Sequence, residues 1–226
     1  MKLAIDTSTD TASLALVGDG GVLAELTWRC RQNHTTQLLA NLDYLLKQFQ
    51  VSPEQLSGII VARGPGSYNG LRVGISTAKG LALSLGIPIV GISSLAVEAY
   101  QYAETGLVIC PIFNAGRGEI ATALYQRRGD NWCRLVSEHI TTVETLCSQI
   151  TSPTLFCGEF VAVVAPQLRE QLGSKAVIPS PLTGLRRASF LAELGLEELK
   201  AGREDNLATL QPLYLRRPSI TKAKHR

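Results

Sequence analysis

The sequence predicts an α/β protein made of two halves that share one architecture. Short apolar segments typical of strands alternate with segments of helical periodicity, and the order of these segments is repeated after residue 105. The composition agrees, because 45% of the 226 residues are hydrophobic, 18% are charged and only 6% are aromatic. Aliphatic strands of this kind are typical of sheets that helices cover on both faces.

The first half, residues 1–105, begins with three strands and then alternates between helix and strand. Its strands are predicted at residues 2–7, 12–17, 22–29, 58–62 and 88–92. Its helices are predicted at residues 34–49, 70–85 and 94–104, with a capped helical turn at 52–55. Gly86 and Pro88 end the second of these helices.

The second half, residues 106–226, repeats this order. Its strands are predicted at residues 107–113, 119–125, 132–138, 154–157 and 176–178. A capping box at 141–144 opens a helix that ends at 150, and further helices are predicted at 159–172 and 186–201. In each half, three strands are followed by alternating helices and strands. This repeated order is the arrangement of the actin, sugar-kinase and Hsp70 superfold. We therefore expect two ribonuclease-H-like domains, 1–105 and 106–226, that face a cleft.

Charge is distributed unevenly along the chain. The net charge is +3, but the residues after Asp205 include no acid and carry +5, which leaves −2 for the rest. The five basic residues of this tail are Arg216, Arg217, Lys222, Lys224 and Arg226. The body is therefore not a nucleic-acid-binding surface by charge, whereas the tail is either solvated or in contact with RNA.

Cysteine usage and hydropathy favour a cytoplasmic protein. The five cysteines lie far apart and form no C-x-x-C pair, so reduced thiols are expected rather than disulfides or a metal site. No signal peptide is expected, because the opening apolar stretch is too short. The longest apolar stretch, residues 81–92, is interrupted by Ser84, Gly86 and Pro88 and is too short to span a bilayer.

Two turns are candidates for phosphate contacts, because the first hairpin of each half in this superfold points its turn at nucleotide phosphates. Asp6, Thr7 and Ser8 supply a carboxylate, hydroxyls and backbone donors suited to phosphate oxygens. In an equally weighted alternative, Asp6 caps its own turn. At the second turn, Asn114 stands where a carboxylate is expected, and an amide is a weak ligand for magnesium. The first turn is therefore predicted as a vestigial phosphate site.

The glycine-rich loop at residues 64–70, Gly-Pro-Gly-Ser-Tyr-Asn-Gly, is predicted to be a tight turn that orients the following helix. It matches neither the dinucleotide-binding fingerprint nor the P-loop pattern. Pro65 also removes one of the amide donors that a phosphate would use. The helix after it carries Gly70, Gly74 and Ala78 at intervals of four, a stripe that permits close approach of another element.

Several stretches, taken together, resemble the TsaB family, a subunit needed to make threonylcarbamoyladenosine in bacterial tRNA. The stretches are LAIDTST at 3–9, GPGSYNGLRVG at 64–74, AKGLA at 78–82, GIP at 86–88 and GISSL at 91–95. A weaker match, PLYLR, lies at 212–216. The chain departs from the family at Tyr68-Asn69, where Phe-Thr is usual, and at 114–116, where Asp-Ala-Arg is usual.

This resemblance implies a pseudo-enzyme. The catalytic relative TsaD has a metal-binding His-x-x-x-His where this chain has Ser94 and Glu98, and without imidazole ligands the site cannot hold that metal. TsaB pairs with TsaD through its N-terminal helices and also forms homodimers. TsaD transfers the threonylcarbamoyl group from threonylcarbamoyl-AMP to the adenosine beside the anticodon, and the ATPase TsaE assists. No cofactor is expected in this chain, and a nucleotide at the partner contact is left open.

The partner contact is predicted on two helices. Leu38, Leu42 and Leu45 belong to a helix whose apolar residues cover a wider arc than one core-facing stripe requires. The stripe Gly70, Gly74 and Ala78 is predicted to lie opposite the same partner, either TsaD or a second copy of the chain. In the alternative, this stripe packs only against the chain's own sheet.

Three catalytic alternatives fit the sequence less well. A small-molecule kinase or ATPase of the same superfold needs Asp-x-Gly at the second turn, a general base and a Gly-Gly adenosine clamp, whereas the chain offers Asn114 and Gly158 alone. TsaD-like transfer lacks its histidines. A peptidase lacks a nucleophile–base pair, because none of the three histidines lies near a Gly-x-Ser-x-Gly or within a His-Glu-x-x-His sequence.

Overall fold

The structure, a computed structural model, describes residues 1–31, 33–180, 182 and 184–216. Its strands form two five-stranded sheets. The first sheet contains β1 (Lys2–Asp6), β2 (Thr11–Gly18), β3 (Gly21–Arg29), β4 (Ile59–Gly64) and β5 (Ile89–Ser93). The second contains β6 (Val108–Gly116), β7 (Glu119–Arg128), β8 (Asn131–Thr141), β9 (Thr154–Cys157) and β10 (Ala176–Val177).

The two sheets have the same topology. The first has the strand order β3-β2-β1-β4-β5, and the second has the equivalent order β8-β7-β6-β9-β10. In each sheet the first three strands are antiparallel, and the last two run parallel to the first strand. This repeat confirms the predicted fold class of two ribonuclease-H-like units.

Within the described residues, six α-helices connect and cover the sheets. They are α1 (His34–Gln48), α2 (Tyr68–Leu85), α3 (Ser94–Tyr100), α4 (Val143–Gln149), α5 (Val161–Leu172) and α6 (Ala188–Lys200). α2 begins two residues before its predicted start, because the Ser67 side chain accepts a hydrogen bond from the Gly70 amide and caps it. α3 ends four residues before its predicted end and gives way to a short 3₁₀ turn at Ala103–Thr105. Within the described residues, no helix is both long and apolar enough to cross a membrane.

The alternation of side chains along β1 divides the core of the first half into two layers. Leu3 and Ile5 pack on the side of α1 and α2, whereas Ala4 packs on the side of α6. α3 lies between the two sheets, where Leu95 and Ala99 contact the second sheet. α4 and α5 cover the outer face of the second sheet.

The end of the chain returns to the first sheet, which corrects the predicted second domain of residues 106–226. α6 packs against β1, β2, β4 and β5, and the backbone of Gly195 lies directly against Ile60. The segment after α6 stays on this sheet, since the Asp205 amide donates to the Ile89 carbonyl at 2.8 Å and the Leu213 amide donates to the Arg63 carbonyl at 2.7 Å. The predicted basic tail lies outside the described residues, except for Arg216.

Candidate functional site

Residues 6–9 at the turn between β1 and β2 are buried, although a phosphate site would require their polar groups to face the cleft. Asp6 and Ser8 have no exposed surface, and Thr7 and Thr9 are also buried. One carboxylate oxygen of Asp6 accepts hydrogen bonds from the Ser8 amide at 2.9 Å and the Ser8 hydroxyl at 2.7 Å. Asp6 therefore caps its own turn, as the alternative interpretation predicted.

Arg186, directly before α6, supplies the counter-charge for this turn. Its Nε donates to the second carboxylate oxygen of Asp6 at 2.6 Å. One terminal nitrogen donates to the hydroxyls of Ser8 at 3.1 Å and Thr9 at 3.0 Å. The guanidinium is fully enclosed and lies 5.4 Å from the ring centroid of Phe113 on the second sheet. An arginine side chain thus occupies the space in which a cation beside Asp6 would lie.

Glu98 of α3 completes a buried charge cluster around Arg186. Its carboxylate lies 3.5 Å from Arg186, and Glu159 lies 3.9 Å from the same nitrogen. Burial raises the pKa of Glu98 to about 7, and the neighbouring charges of Glu159 and Asp6 add to this, while Arg186 opposes it. Burial alone would lower the pKa of Arg186, but the three carboxylates outweigh it and raise that pKa.

The glycines of the 64–74 region close the turn from the other side. A side chain at Gly66 would overlap the Ser8 carbonyl, and one at Gly70 or Gly74 would overlap Thr7. The Thr7 hydroxyl donates to the Gly70 carbonyl at 2.7 Å. These glycines therefore permit the close approach of α2 to the chain's own first turn.

The structure brings Cys30 and His34 together, a pair that the sequence analysis missed. The Cys30 sulfur lies 3.0 Å from Nε2 of His34, and the same nitrogen lies 2.8 Å from the Thr9 carbonyl. Both residues are buried, and burial raises the pKa of the Cys30 thiol. A buried thiol with a raised pKa is a poor nucleophile, so this pair supports the turn and does not supply peptidase chemistry.

The turn between β6 and β7 is open, in contrast to the first. Asn114, Gly116, Arg117 and Gly118 are exposed. The Asn114 side chain accepts a hydrogen bond from the Gly116 amide at 2.8 Å, which stabilises the turn locally. This turn presents no carboxylate at the position where the superfold would hold a divalent cation.

These two turns do not fit a nucleotide phosphate with its metal ion. A cavity of about 570 Å³ separates the two halves beside the first turn, with Asp10 and Arg29 on one wall and Gly158 and Arg169 on the other. A phosphate that reached Asp6 from this cavity would have to displace Arg186. In the part of the chain that the structure describes, no group of three or more histidine, cysteine, aspartate or glutamate side chains is arranged to hold a metal. The predicted phosphate role of Asp6, Thr7 and Ser8 is therefore corrected to a structural one.

The predicted contact residues face inward. The set Leu38, Leu42, Leu45, Gly70, Gly74 and Ala78 is buried within the chain. The leucines and Ala78 belong to the core against the first sheet, and the two glycines lie against Thr7. Their assignment as contact residues is thus wrong, because each is already covered by the chain itself.

The outward faces of the same two helices form a shallow groove. It has a volume of about 330 Å³, with Leu38 at its floor and Leu39, Val73, Ser76 and Thr77 among its walls. Leu39 is 58% exposed, and Tyr44 on α1 and Phe49 directly after it are also exposed. The prediction that α1 carries apolar residues beyond its core stripe is correct. The predicted contact residues Leu38, Leu42 and Leu45, however, belong to the core stripe, and Leu39 is the exposed one.

The sequence did not predict that Arg186 and Glu159 contact the first turn. Arg186 was predicted only as the start of a helix, and Glu159 only as the start of another. Both are far from Asp6 in sequence and carry no motif. The sequence offered one indirect sign that such a partner exists. A carboxylate in an apolar strand, such as that of Asp6, requires a cation or several hydrogen-bond donors.

Comparisons with known proteins place the chain in a family. The family model described as "TsaD: tRNA N6-adenosine threonylcarbamoyltransferase" matches residues 8–223. The tRNA threonylcarbamoyladenosine biosynthesis protein TsaB of Bacillus subtilis is 35% identical over 95% of this chain and 93% of its own length. The chain belongs to the TsaB family. The TsaB protein of Escherichia coli is 29% identical over 95% of this chain and 94% of its own.

Solved structures agree with this assignment. A Pseudomonas aeruginosa protein described as having similarity to peptidase YeaZ has a TM-score of 0.81 and 25% identity, and the match covers 95% of this chain and 99% of that one. A second structure, YeaZ from the same organism, has a TM-score of 0.78 and 26% identity with the same coverage. The word peptidase is part of the description of the first Pseudomonas structure. In this chain, the buried Cys30–His34 pair does not support a peptidase activity.

Proposed function

We propose that this chain is the non-catalytic partner subunit of a threonylcarbamoyl transferase complex. It pairs with TsaD, which transfers the threonylcarbamoyl group from threonylcarbamoyl-AMP to the adenosine beside the anticodon of tRNAs that read codons beginning with A. The observation that carries this proposal is the full-length similarity to TsaB proteins of tRNA threonylcarbamoyladenosine biosynthesis.

The geometry supports the absence of catalysis in this subunit. The first turn is filled by Arg186, and the second offers Asn114 in place of a carboxylate. At the two positions where TsaD carries metal-binding histidines, Ser94 accepts a hydrogen bond from the Gly64 amide at 3.1 Å and Glu98 faces Arg186. Asp6, Ser94 and Asn114 each make a hydrogen bond within the fold.

The groove between α1 and α2 is the surface that we assign to TsaD. The exposed Leu39 and the half-buried Val73 lie beside Thr77 and give an apolar centre with a polar rim, which is the usual composition of a specific interface. In the absence of TsaD, a second copy of the chain would cover the same groove. The proposal further includes TsaE acting on the paired subunits, contact with tRNA through the complex, and a cytoplasmic location. It assigns no cofactor to this chain, and a nucleotide would bind only at the contact with TsaD.

The biological role is tested by depletion of the protein in its own cells. We expect the threonylcarbamoyladenosine content of digested tRNA to fall, with the total amount of each tRNA unchanged, as measured by mass spectrometry. Re-expression of the wild-type chain should restore the modification. An unchanged level of the modified nucleoside after depletion contradicts the proposed function and leaves the kinase or ATPase alternative.

The assigned surface is tested by Leu39→Asp. A charge in the centre of an apolar contact should weaken TsaD binding at least ten-fold, about 1.4 kcal/mol, in a calorimetric titration. Val163→Asp is the matched control, because Val163 is an exposed apolar helix residue of α5, on the second sheet. If Leu39→Asp and Val163→Asp bind TsaD with equal affinity, the contact with TsaD does not lie on this groove.

A further inference from the structure

Arg72 is the charged residue of the groove between α1 and α2. The other residues that line the groove are neutral, namely Thr35, Leu38, Leu39, Val73, Ser76 and Thr77. Arg72 is exposed, and in the described ranges it forms no ion pair with an acid. The groove therefore carries a positive charge to which the described part of the chain supplies no counter-charge.

Two tyrosines hold the Arg72 side chain in place. Its guanidinium lies 3.8 Å from the ring centroid of Tyr68, and its Nε donates to the Tyr214 hydroxyl at 3.2 Å. Tyr214 is itself held by the backbone, since the Leu213 amide directly before it donates to the Arg63 carbonyl at 2.7 Å. Because the arginine is positioned before a partner arrives, its pairing with an acid of that partner costs little conformational entropy.

The two helices that form the groove contain few acids. α2 contains Arg72 and Lys79 and no acid, and α1 contains one acid, Asp43. The Asp43 carboxylate lies 2.8 Å from the Lys47 ammonium on the same helix. From these helices, a second copy of the chain could therefore offer Arg72 only an acid that already has a partner.

A contact between two copies through this groove places the same surface on both sides. In a dimer with two-fold symmetry each patch faces an identical patch, so a positive surface faces a positive surface. Like charges that face each other across an interface weaken it. A different protein with a carboxylate opposite Arg72 would instead form a charge-assisted pair, for which the planar guanidinium is well suited.

We propose that Arg72 determines the partner specificity of this groove, by pairing with a carboxylate of TsaD and disfavouring a second copy of the chain. This inference rests on the proposed function and names the chemistry of the surface that TsaD presents. Specific interfaces combine attraction for the correct partner with repulsion of the wrong one. Arginine and tyrosine are also enriched among the residues that contribute most to binding.

The test measures two equilibria for each variant, TsaD binding by calorimetric titration and self-association by sedimentation equilibrium. We expect Arg72→Gln to weaken TsaD binding about ten-fold, through the loss of a charged pair, and to tighten self-association about three-fold, through the loss of a like-charge repulsion. Arg72→Lys keeps the charge without the planar group, so its self-association should match the wild type and its TsaD affinity should lie between the other two. Tyr214→Phe removes the hydroxyl that holds Arg72 and should weaken TsaD binding by a smaller factor than Arg72→Gln does.

Arg169→Gln is the matched control. Arg169 is an exposed arginine of α5, outside the groove, and the described residues give it no ion pair. This variant should leave both equilibria unchanged. Melting temperatures of all variants are measured alongside, and Tyr214→Phe serves as the second variant if Arg72→Gln does not fold.

The salt dependence separates the charge of Arg72 from its shape. Raising sodium chloride from about 0.05 M to about 0.5 M screens exposed charges. The wild-type chain should then bind TsaD more weakly and self-associate more tightly. Both responses should be smaller in Arg72→Gln, whereas a purely structural role of Arg72 would leave them the same as in the wild type.

Three results would overturn the inference. Arg72→Gln binds TsaD as tightly as Arg169→Gln does, Arg72→Gln weakens self-association as well as TsaD binding, or neither the wild type nor Arg72→Gln self-associates. In the second case Arg72 serves both contacts, and in the third there is no competing partner to disfavour. Pairing of Leu39→Asp with TsaD and the modified-nucleoside level are measured separately, so a failure here leaves the proposed function standing.

Discussion

The two hairpin turns, β1–β2 and β6–β7, stand at equivalent positions of the repeated sheet and have opposite environments. The first is enclosed by Arg186, Glu98 and the glycines of α2, and the side chains of Asp6, Thr7, Ser8 and Thr9 each have a hydrogen-bond partner inside the protein. The second is exposed and held by the local hydrogen bond of Asn114 and by Arg216. The first turn therefore has a carboxylate that an internal cation already covers, and the second has open space but an amide in place of a carboxylate.

The largest difference between the turns should appear when their arginines are removed. Arg186→Ala leaves the buried carboxylates of Asp6 and Glu98 without a counter-charge and should lower the free energy of unfolding by about 3–5 kcal/mol. Arg216→Ala, the matched change at the second turn, removes a partly exposed pair with Glu119 and should cost about 0–1 kcal/mol. Urea denaturation of both variants measures the difference. Equal losses would mean that the two turns are equally important to the fold.

The pH dependence of stability should report the buried cluster at the first turn. Because the pKa of Glu98 is raised to about 7 in the folded protein, the folded state binds this proton more tightly than the unfolded state does. Its stabilising contribution is present at low pH and is lost as the pH rises through about 7, by up to about 3 kcal/mol. The charged groups that face the Glu98 carboxylate are Arg186, Asp6 and Glu159, and the Gln101 side chain donates a hydrogen bond to it at 2.8 Å.

The Glu98→Gln variant isolates this contribution. It keeps the shape of the side chain and removes its titration, so the loss of stability between pH 5.5 and pH 8 should be smaller than in the wild type. Urea midpoints at the two pH values measure the loss in each protein. If the two pH profiles run parallel, Glu98 does not titrate in this range.

A smaller effect is expected from the close packing of α2 on the first turn. Gly74→Ala places a methyl group against Thr7 and should cost about 1–3 kcal/mol, whereas Gly80→Ala on the same helix meets nothing within 4 Å and should be neutral or stabilising. Ala78→Leu should also lower the melting temperature, because Ala78 has no exposed surface. An unchanged melting temperature in Gly74→Ala would show that α2 can move away from the turn at no cost.

The smallest effect is expected at the second turn itself. Asn114→Asp introduces the carboxylate that the superfold uses at this position, and the new side chain can still accept a hydrogen bond from the Gly116 amide. Stability should change by less than about 0.5 kcal/mol, with or without magnesium, because the position is exposed. A magnesium-dependent rise in melting temperature in this variant would mean that one substitution is enough to reopen a cation site.

The sequence predicted the order of strands and helices because each element carries its own hydrophobic period. It did not predict which side of α1 and α2 faces the sheet, since Leu38 and Leu39 are equally apolar and only the packing assigns one to the core and the other to the surface. The pairing of Asp6 with Arg186 joins two residues 180 positions apart, and no local pattern encodes it. The return of α6 to the first sheet and the meeting of Tyr68 with Tyr214 are tertiary contacts of the same kind.

The chain's own arginine closes the first turn, and we propose that this subunit performs no transfer itself. The purified chain is incubated alone with ATP, and separately with threonylcarbamoyl-AMP and tRNA, and phosphate release and modified adenosine are quantified. TsaD from the same organism, added to a parallel reaction, is the positive control. We predict no turnover above the protein-free blank in either reaction without TsaD. Turnover that rises in proportion to this chain, and that Asp6→Asn abolishes, would show that the chain is itself a catalyst.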